Sequence, residues 1–285
     1  MTPPMTTEAQ TADPIMTFEP LGPGRWRLNA DPKWCNPGGG LWGGYDIGVA
    51  IGVLKEEPTA AGEALSLTLT YAYALPPGDL VIRTRCLRQG GSIGVWEVEL
   101  CSGPDEAVGV HAIVTMARRP ETPAFQFAKM PDYADPESLP TPPGFGNTPT
   151  RDHMAGTAFE RRGMEHTFPP KASGDAYTLC WVRSKRWPLD KITLGMITDN
   201  MPPRSMFALG GGIMTTTLSL TVYLHATEAE LAAIGHDYIL VECDGRVGQG
   251  GASDERSSYW SRDGKLLATS EQLAWYRQRR PDPAK

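Results

Sequence analysis

LSLTLTYAYA (residues 65–74) and LSLTVYLHA (residues 218–226) are near-copies of each other within a chain of 285 residues. Each alternates apolar residues with Ser, Thr or Tyr, the period of a strand that buries one face. A second echo follows each copy, QGGS at 89–92 and QGGAS at 249–253. The offset grows from about 153 to about 160 residues because HATEAELAAIGHD is a longer connection than ALPPGD. Duplication of one unit is the simplest account.

Both halves run in the same order. LWGGYDIGVAIGVLKEE (residues 41–57) places Leu41, Tyr45, Val49 and Val53 at helical spacing before Pro58, and Gly44, Gly48 and Gly52 let a neighbouring backbone come close. LSLTLTYAYAL, DLVIRTRCLR, IGVWEVELC and AVGVHAIVTMA follow, rich in Val, Ile, Thr and aromatics as strands are. The second half offers AYTLCWVRSKR as a strand and LDKITLGMITDN as a helix. TTTLSLTVYLHA, YILVECDGRV, ASDERSSYWSRDG and KLLATSEQLAWYR then read as strands, and Ser261-Arg262-Asp263-Gly264 carries the Asp-Gly signal of a tight hairpin. The expectation is α+β: two antiparallel sheets, each wrapped around a central helix, the helices near residues 41–56 and 189–200.

Proline is dense between Arg119 and Arg151, so residues 120–150 read as an extended linker laid over a surface. The units are then 18–119 and 151–278. Residues 1–17 read as a disordered tail rather than a signal peptide, since they lack a basic start and an apolar core, and 279–285 read as a second tail.

Composition narrows the function. A formal charge of −6 without a basic stripe argues against nucleic acid. The apolar runs fall short of the ~20 residues of a membrane helix. The five cysteines are scattered and never in a C-x-x-C pair, which favours a reducing cytoplasm and argues against disulfides or zinc. No histidine spacing suggests a metal, and no cofactor is expected. No G-x-S-x-G elbow is present, and no histidine has an aspartate at the spacing of a dehydratase dyad. Gly210-Gly211-Gly212 lacks the Gly-Lys-Ser/Thr of a phosphate loop.

The chain resembles the double-hotdog acyl-CoA thioesterases, the type II or thioesterase-like superfamily, from about Phe18 to Arg277. The likeness rests on Gly38-Gly39-Gly40-Leu41-x-Gly43-Gly44, Ser66-Leu67-Thr68, Leu87-Arg88-x-Gly90-x-Ser92, Thr198-Asp199, the strand from Thr217 to His225, Tyr259-x-x-x-Asp263-Gly264 and Leu267-Ala268-x-x-x-Gln272. It implies a double hotdog that hydrolyses an acyl-CoA thioester to acid and CoA, with catalytic Asp199, Thr217 and Gln272. Ser219 and Leu220 stand where the family strand usually has Asp-His. The resemblance also implies acyl-CoA as partner and a homodimer or larger oligomer working in lipid metabolism. Gly43 and Gly44, at a helix start with free N–H groups, are candidates to receive the substrate carbonyl.

The residues leave other readings open. Asp199 sits where the helix of LGMITDNMPP (residues 194–203) ends, the negative end of its dipole, and could be a solvated cap. Strict alternation puts Thr217 opposite in parity to Leu218, Leu220, Val222 and Leu224, on a polar outer face unless a bulge intervenes. Gln272 could be an ordinary exposed residue, the glycine run could serve packing alone, and Asp46 could belong to a vestigial or alternative site. A binding protein for acyl-CoA or hydrophobic acids, or a specialised enzyme acting on an aromatic, steroid or polyketide thioester, are the alternative functions.

Overall fold

The computed structural model describes residues 14–142, 153–164, 172–210 and 212–278. The strands are β1 Glu19–Gly22, β2 Arg25–Ala30, β3 Glu63–Tyr71, β4 Gly78–Gln89, β5 Ile93–Ser102, β6 Ala107–Ala117, β7 Phe159–Arg162, β8 Thr178–Ser184, β9 Ile213–Leu224, β10 Ile239–Asp244, β11 Gly248–Gln249, β12 Ala252–Ser261 and β13 Leu266–Gln278. The helices are α1 Gly43–Glu56, α2 Met154–Thr157, α3 Lys191–Ile197, α4 Arg204–Leu209 and α5 Glu228–Ile234. All neighbouring strands pair antiparallel.

The expected two sheets are one. The strand order is β1-β2-β4-β5-β6-β3-β9-β13-β12-β10-β8-β7, with β11 on β12. Read outward from the β3–β9 seam, each half repeats the same sequence of strands. β3 and β9 would each be an edge of a separate half-sheet, with a row of unpaired N–H and C=O groups. Pairing them fuses the halves. The repeated LSLT motifs meet there: Thr68 lies opposite Thr221, their hydroxyls 3.1 Å apart. The two residues at equivalent places in the repeat are thus partners across the seam, which puts the approximate two-fold axis between them.

α1 and α3 pack against each other and against the sheet, α1 on β4, β5 and β6 and α3 on β9. Small residues set how close they come. A Cβ on Gly44 would fall 2.6 Å from the Met196 carbonyl oxygen, and one on Gly195 would fall 2.7 Å from Ile51 Cδ1. The core runs continuously from Leu28 through α1 and α3 to Ala268. α1 begins at Gly43 rather than Leu41, because Leu41 is held in a bridge with Cys35.

Within the stretch expected as an N-terminal tail, Ile15 and Met16 pack against this core, Met16 lying along Gly48 and Gly52. Residues 1–13 of that tail, residues 143–150 of the expected linker and residues 279–285 lie outside the described residues. From Pro120 to Asp135 the linker carries no regular secondary structure. Gln126 bonds Gly264 O and Leu266 N at 2.9 and 2.8 Å, and Met130, Tyr133 and Leu139 cover Trp181, Tyr238, Leu240 and Trp260. No helix among the described residues is long and apolar enough to cross a membrane. All five cysteines are unpaired.

Candidate active site

α3 ends at Ile197, and the chain turns tightly through Thr198 and Asp199. The turn is held from three sides. Thr198 Oγ1 donates to Gly195 O at 2.7 Å, Tyr259 OH to Thr198 O at 3.0 Å, and Trp42 Nε1 to Asp199 O at 2.9 Å. The Asp199 carboxylate projects onto the start of α1. A Cβ on Gly43 would lie 2.9 Å from Oδ2, and the neighbouring Gly44 amide favours the charged form of the carboxyl. This explains an acid at the unfavourable end of its own helix: it sits at the positive end of the neighbouring one. Burial nevertheless pushes the carboxyl up to about 7, with the Glu255 charge adding to the rise and the Gly44 and Trp42 donors opposing it. A half-buried carboxyl poised there can take a proton near neutral pH.

Thr217 reaches the interior through a bulge. β9 and β13 pair Ser219 with Leu273 and Thr217 with Ala274, leaving Leu218 as the extra residue. The parity of the strand therefore flips, so that Ile213, Thr215 and Thr217 face inward before it and Leu220, Val222 and Leu224 after it. Strict alternation had placed Thr217 outside. Gln272 is inward and buried, and its Nε2 donates to Thr217 Oγ1 at 2.8 Å.

The structure thus brings the five expected residues together as two groups, Asp199 with Gly43 and Gly44, and Thr217 with Gln272. No direct hydrogen bond joins the groups among the described residues. Glu255 lies between them: it is the register partner of Gln272 on β12, and its charge acts on Asp199. Glu255 is itself buried, accepting from Arg204 N at 3.3 Å and lying 3.6 Å from its guanidinium.

Glu255, Tyr71 and Trp42 are site residues that sequence reasoning missed. Tyr71 OH donates to Gly43 O at 3.2 Å and stands beside the Asp199 carboxylate. Trp42 belongs to a buried aromatic layer, with Trp34 stacked between Tyr45 and Trp187 at centroid distances of 4.9 and 5.9 Å. A signal for Glu255 was present. It shares the inward parity of Ser253, Ser257 and Tyr259 in ASDERSSYWS, a charged residue on a core-facing register.

The other repeat lacks the polar pair. β3 carries the matching bulge at Leu65, and Ala64 stands where β9 has Thr217. Val114, opposite Leu67, stands where Gln272 lies opposite Leu220. Both equivalents are apolar and buried, so the Thr–Gln pair is not repeated there.

Residues 30–117 match the acyl-CoA thioesterase N-terminal domain and residues 129–276 the acyl-CoA thioesterase C-terminal domain. The chain belongs to the acyl-CoA thioesterase family. In this thioesterase Gly43 and Gly44 come from the first of those domains and Asp199, Thr217 and Gln272 from the second. Among solved structures, the thioesterase is similar to a conserved hot dog protein from Alicyclobacillus acidocaldarius, at 22% identity and TM-score 0.83, covering 93% of this chain and 97% of that one. It is also similar to the acyl-CoA thioesterase II TesB2 of Mycobacterium marinum, at 15% identity and TM-score 0.70, covering 93% and 97%. A tesB protein of Mycobacterium avium subspecies paratuberculosis matches at 17% identity and TM-score 0.68, covering 91% and 96%. These likenesses show the hot dog fold. No curated protein matches the thioesterase in sequence.

Proposed function

We propose that the thioesterase is a double hotdog that hydrolyses an acyl-CoA thioester with a water held by Asp199, Thr217 and Gln272. The water oxygen attacks the thioester carbonyl while Asp199 accepts a water proton. The C–S bond then breaks, CoA leaves as its thiolate, and the proton passes to sulfur. The Gly43 and Gly44 amides precede the first intrahelical bond, made by Tyr45 N–H to Trp42 O at 2.8 Å, and are the donors offered to the carbonyl oxygen. The observation that carries this reading is the Asp199 carboxyl, raised to about 7 at the amide end of α1.

The test is thiol release from acyl-CoAs of short, medium, long and aromatic chain. On any substrate turned over, kcat/KM should rise with pH as Asp199 ionises, with the limb centred near about 7. A rate flat from pH 5 to 8 would remove Asp199 as the base, since a carboxyl of about 7 cannot stay ionised across that window.

Thr217 and Gln272 serve one water in this scheme. Thr217→Ala and Gln272→Ala should each lower kcat by about 10–10²-fold, and the double variant should lose less than the product of the two. Strictly multiplicative losses would mean that the pair does not act as a unit.

A further inference from the structure

Asp46, in the first turn of α1, is only 2% exposed, and its Oδ1 meets no hydrogen-bond partner. The carboxyl is bound into the site already described. Its backbone N–H bonds Trp42 O at 3.3 Å, one turn back, the same Trp42 whose indole holds the Asp199 carbonyl. Asp199 faces it from the end of α3 and Tyr71 from β3, and Tyr45 adjoins it on α1. Glu255 of β12 faces Asp199 from the other side, with Arg204 of α4 behind Glu255.

The Asp199 carboxylate lies on the first turn of α1, the turn that carries Asp46, and two carboxyl groups whose charges act on each other in a buried site resist ionising together. Donors decide which one carries the charge. The Gly44 amide and Trp42 favour the charged form of Asp199, whereas Asp46 Oδ1 receives nothing. Burial and the Asp199 charge both push the Asp46 carboxyl well above the ordinary carboxylate range.

We propose that Asp46 is the proton-holding partner of Asp199: through the working range the pair carries one proton and one charge, the proton on Asp46 and the charge on Asp199. Asp46 is then a positioning residue, acting through Asp199. Its neutrality keeps a second negative charge away from the amides that receive the developing oxyanion. Loss of the Asp46 proton at high pH would place that charge beside them and slow the reaction. The inference rests on the reading of Asp199 as the base.

The experiment is the pH profile of kcat and kcat/KM for thiol release by the native protein, Asp46→Asn and Asp199→Asn, each checked for folding by circular dichroism. The native profile should be bell-shaped. Asp46→Asn is a permanent mimic of the protonated acid, so it should keep the acid limb and turn over at pH 7 within about threefold of the native rate. It should lose the alkaline limb. Asp46→Asn as inactive as Asp199→Asn would overturn the proposal, because a charge at Asp46 would then be required. An unchanged alkaline limb in Asp46→Asn, or none in the native protein, would also overturn it. Full activity in Asp199→Asn would instead sink the reading of Asp199 itself. Should Asp46→Asn fail to fold, carboxyl carbon-13 NMR of the native protein decides. A second aspartate that stays protonated after Asp199 has ionised near about 7 supports the proposal, and a protein in which every aspartate but Asp199 has ionised below about pH 6 overturns it.

Discussion

Asp199→Asn is expected to lower turnover by about 10²–10⁴-fold, the usual contribution of a positioned acid–base group. The carboxamide keeps the size of the side chain and can still meet Gly44, but it cannot accept the water proton. Binding of acyl-CoA should change little, so the loss should appear in kcat rather than KM. The same variant should be the more stable protein at pH 7 to 8. A carboxyl raised from 3.8 to about 7 in the fold binds its proton more tightly there than in the unfolded chain. Its ionisation therefore costs stability, none below pH 4 and in full above about 7. Thermal melts of native and Asp199→Asn proteins should coincide near pH 4 and separate as pH rises, with Asn ahead. Near-native turnover in a folded Asp199→Asn, measured by thiol release, would return this aspartate to a polar helix end. Coincident melts across the whole range would mean that the ionised carboxylate carries no cost.

Gly44→Ala is expected to destabilise the fold by about 1–3 kcal/mol, the range for overpacking a close contact. The new Cβ would lie 2.3 Å from Trp42 Cζ2 and 2.6 Å from the Met196 carbonyl, and a backbone carbonyl on a packed helix cannot swing aside. Relieving the clash moves α3 or Trp42, and both hold the Asp199 turn. Turnover should therefore fall as well. Gly48→Ala provides the contrast. Its neighbours are Met196 Cγ at 3.0 Å and Met16 Cε at 3.2 Å, flexible thioether chains that can give, while alanine adds up to about 1 kcal/mol of helix preference. Differential scanning calorimetry should rank Gly48→Ala well above Gly44→Ala. Equal melting temperatures would show that the helix crossing is looser than the geometry implies.

Much of the fold is written in local pattern. Alternation marks β6 from Val110 to Met116, and the Asp-Gly hairpin forms with Ser261 N–H bonded to Lys265 O at 2.9 Å. The LSLT repeat carries more than a strand, because it names the two residues that meet at the axis. Long-range consequences were not legible. That β3 and β9 join into one sheet follows from edge pairing between segments far apart in the chain. The inward turn of Thr217 depends on a bulge that no residue type announces, since Leu218 suits either parity. α5 was legible and overlooked: Thr227-Glu228-Ala229-Glu230 is a capping box, with both reciprocal bonds formed. The site's two halves could be guessed from a family pattern, but the acid's placement at a neighbouring helix start depends on how α1 and α3 cross. Composition does not record that crossing.

The covalent join between the repeats has a further consequence, in mass action. Asp199 belongs to one repeat and the amides it faces, at Gly43 and Gly44, to the other. A chain of a single repeat could build such a constellation only by meeting a second molecule, and the fraction assembled would then fall with dilution. Here the meeting is intramolecular, at an effective concentration set by the connecting segment rather than by the solution. The contact between Asp199 and the first turn of α1 is therefore independent of how much protein is present, and a scarce enzyme keeps it as fully as an abundant one.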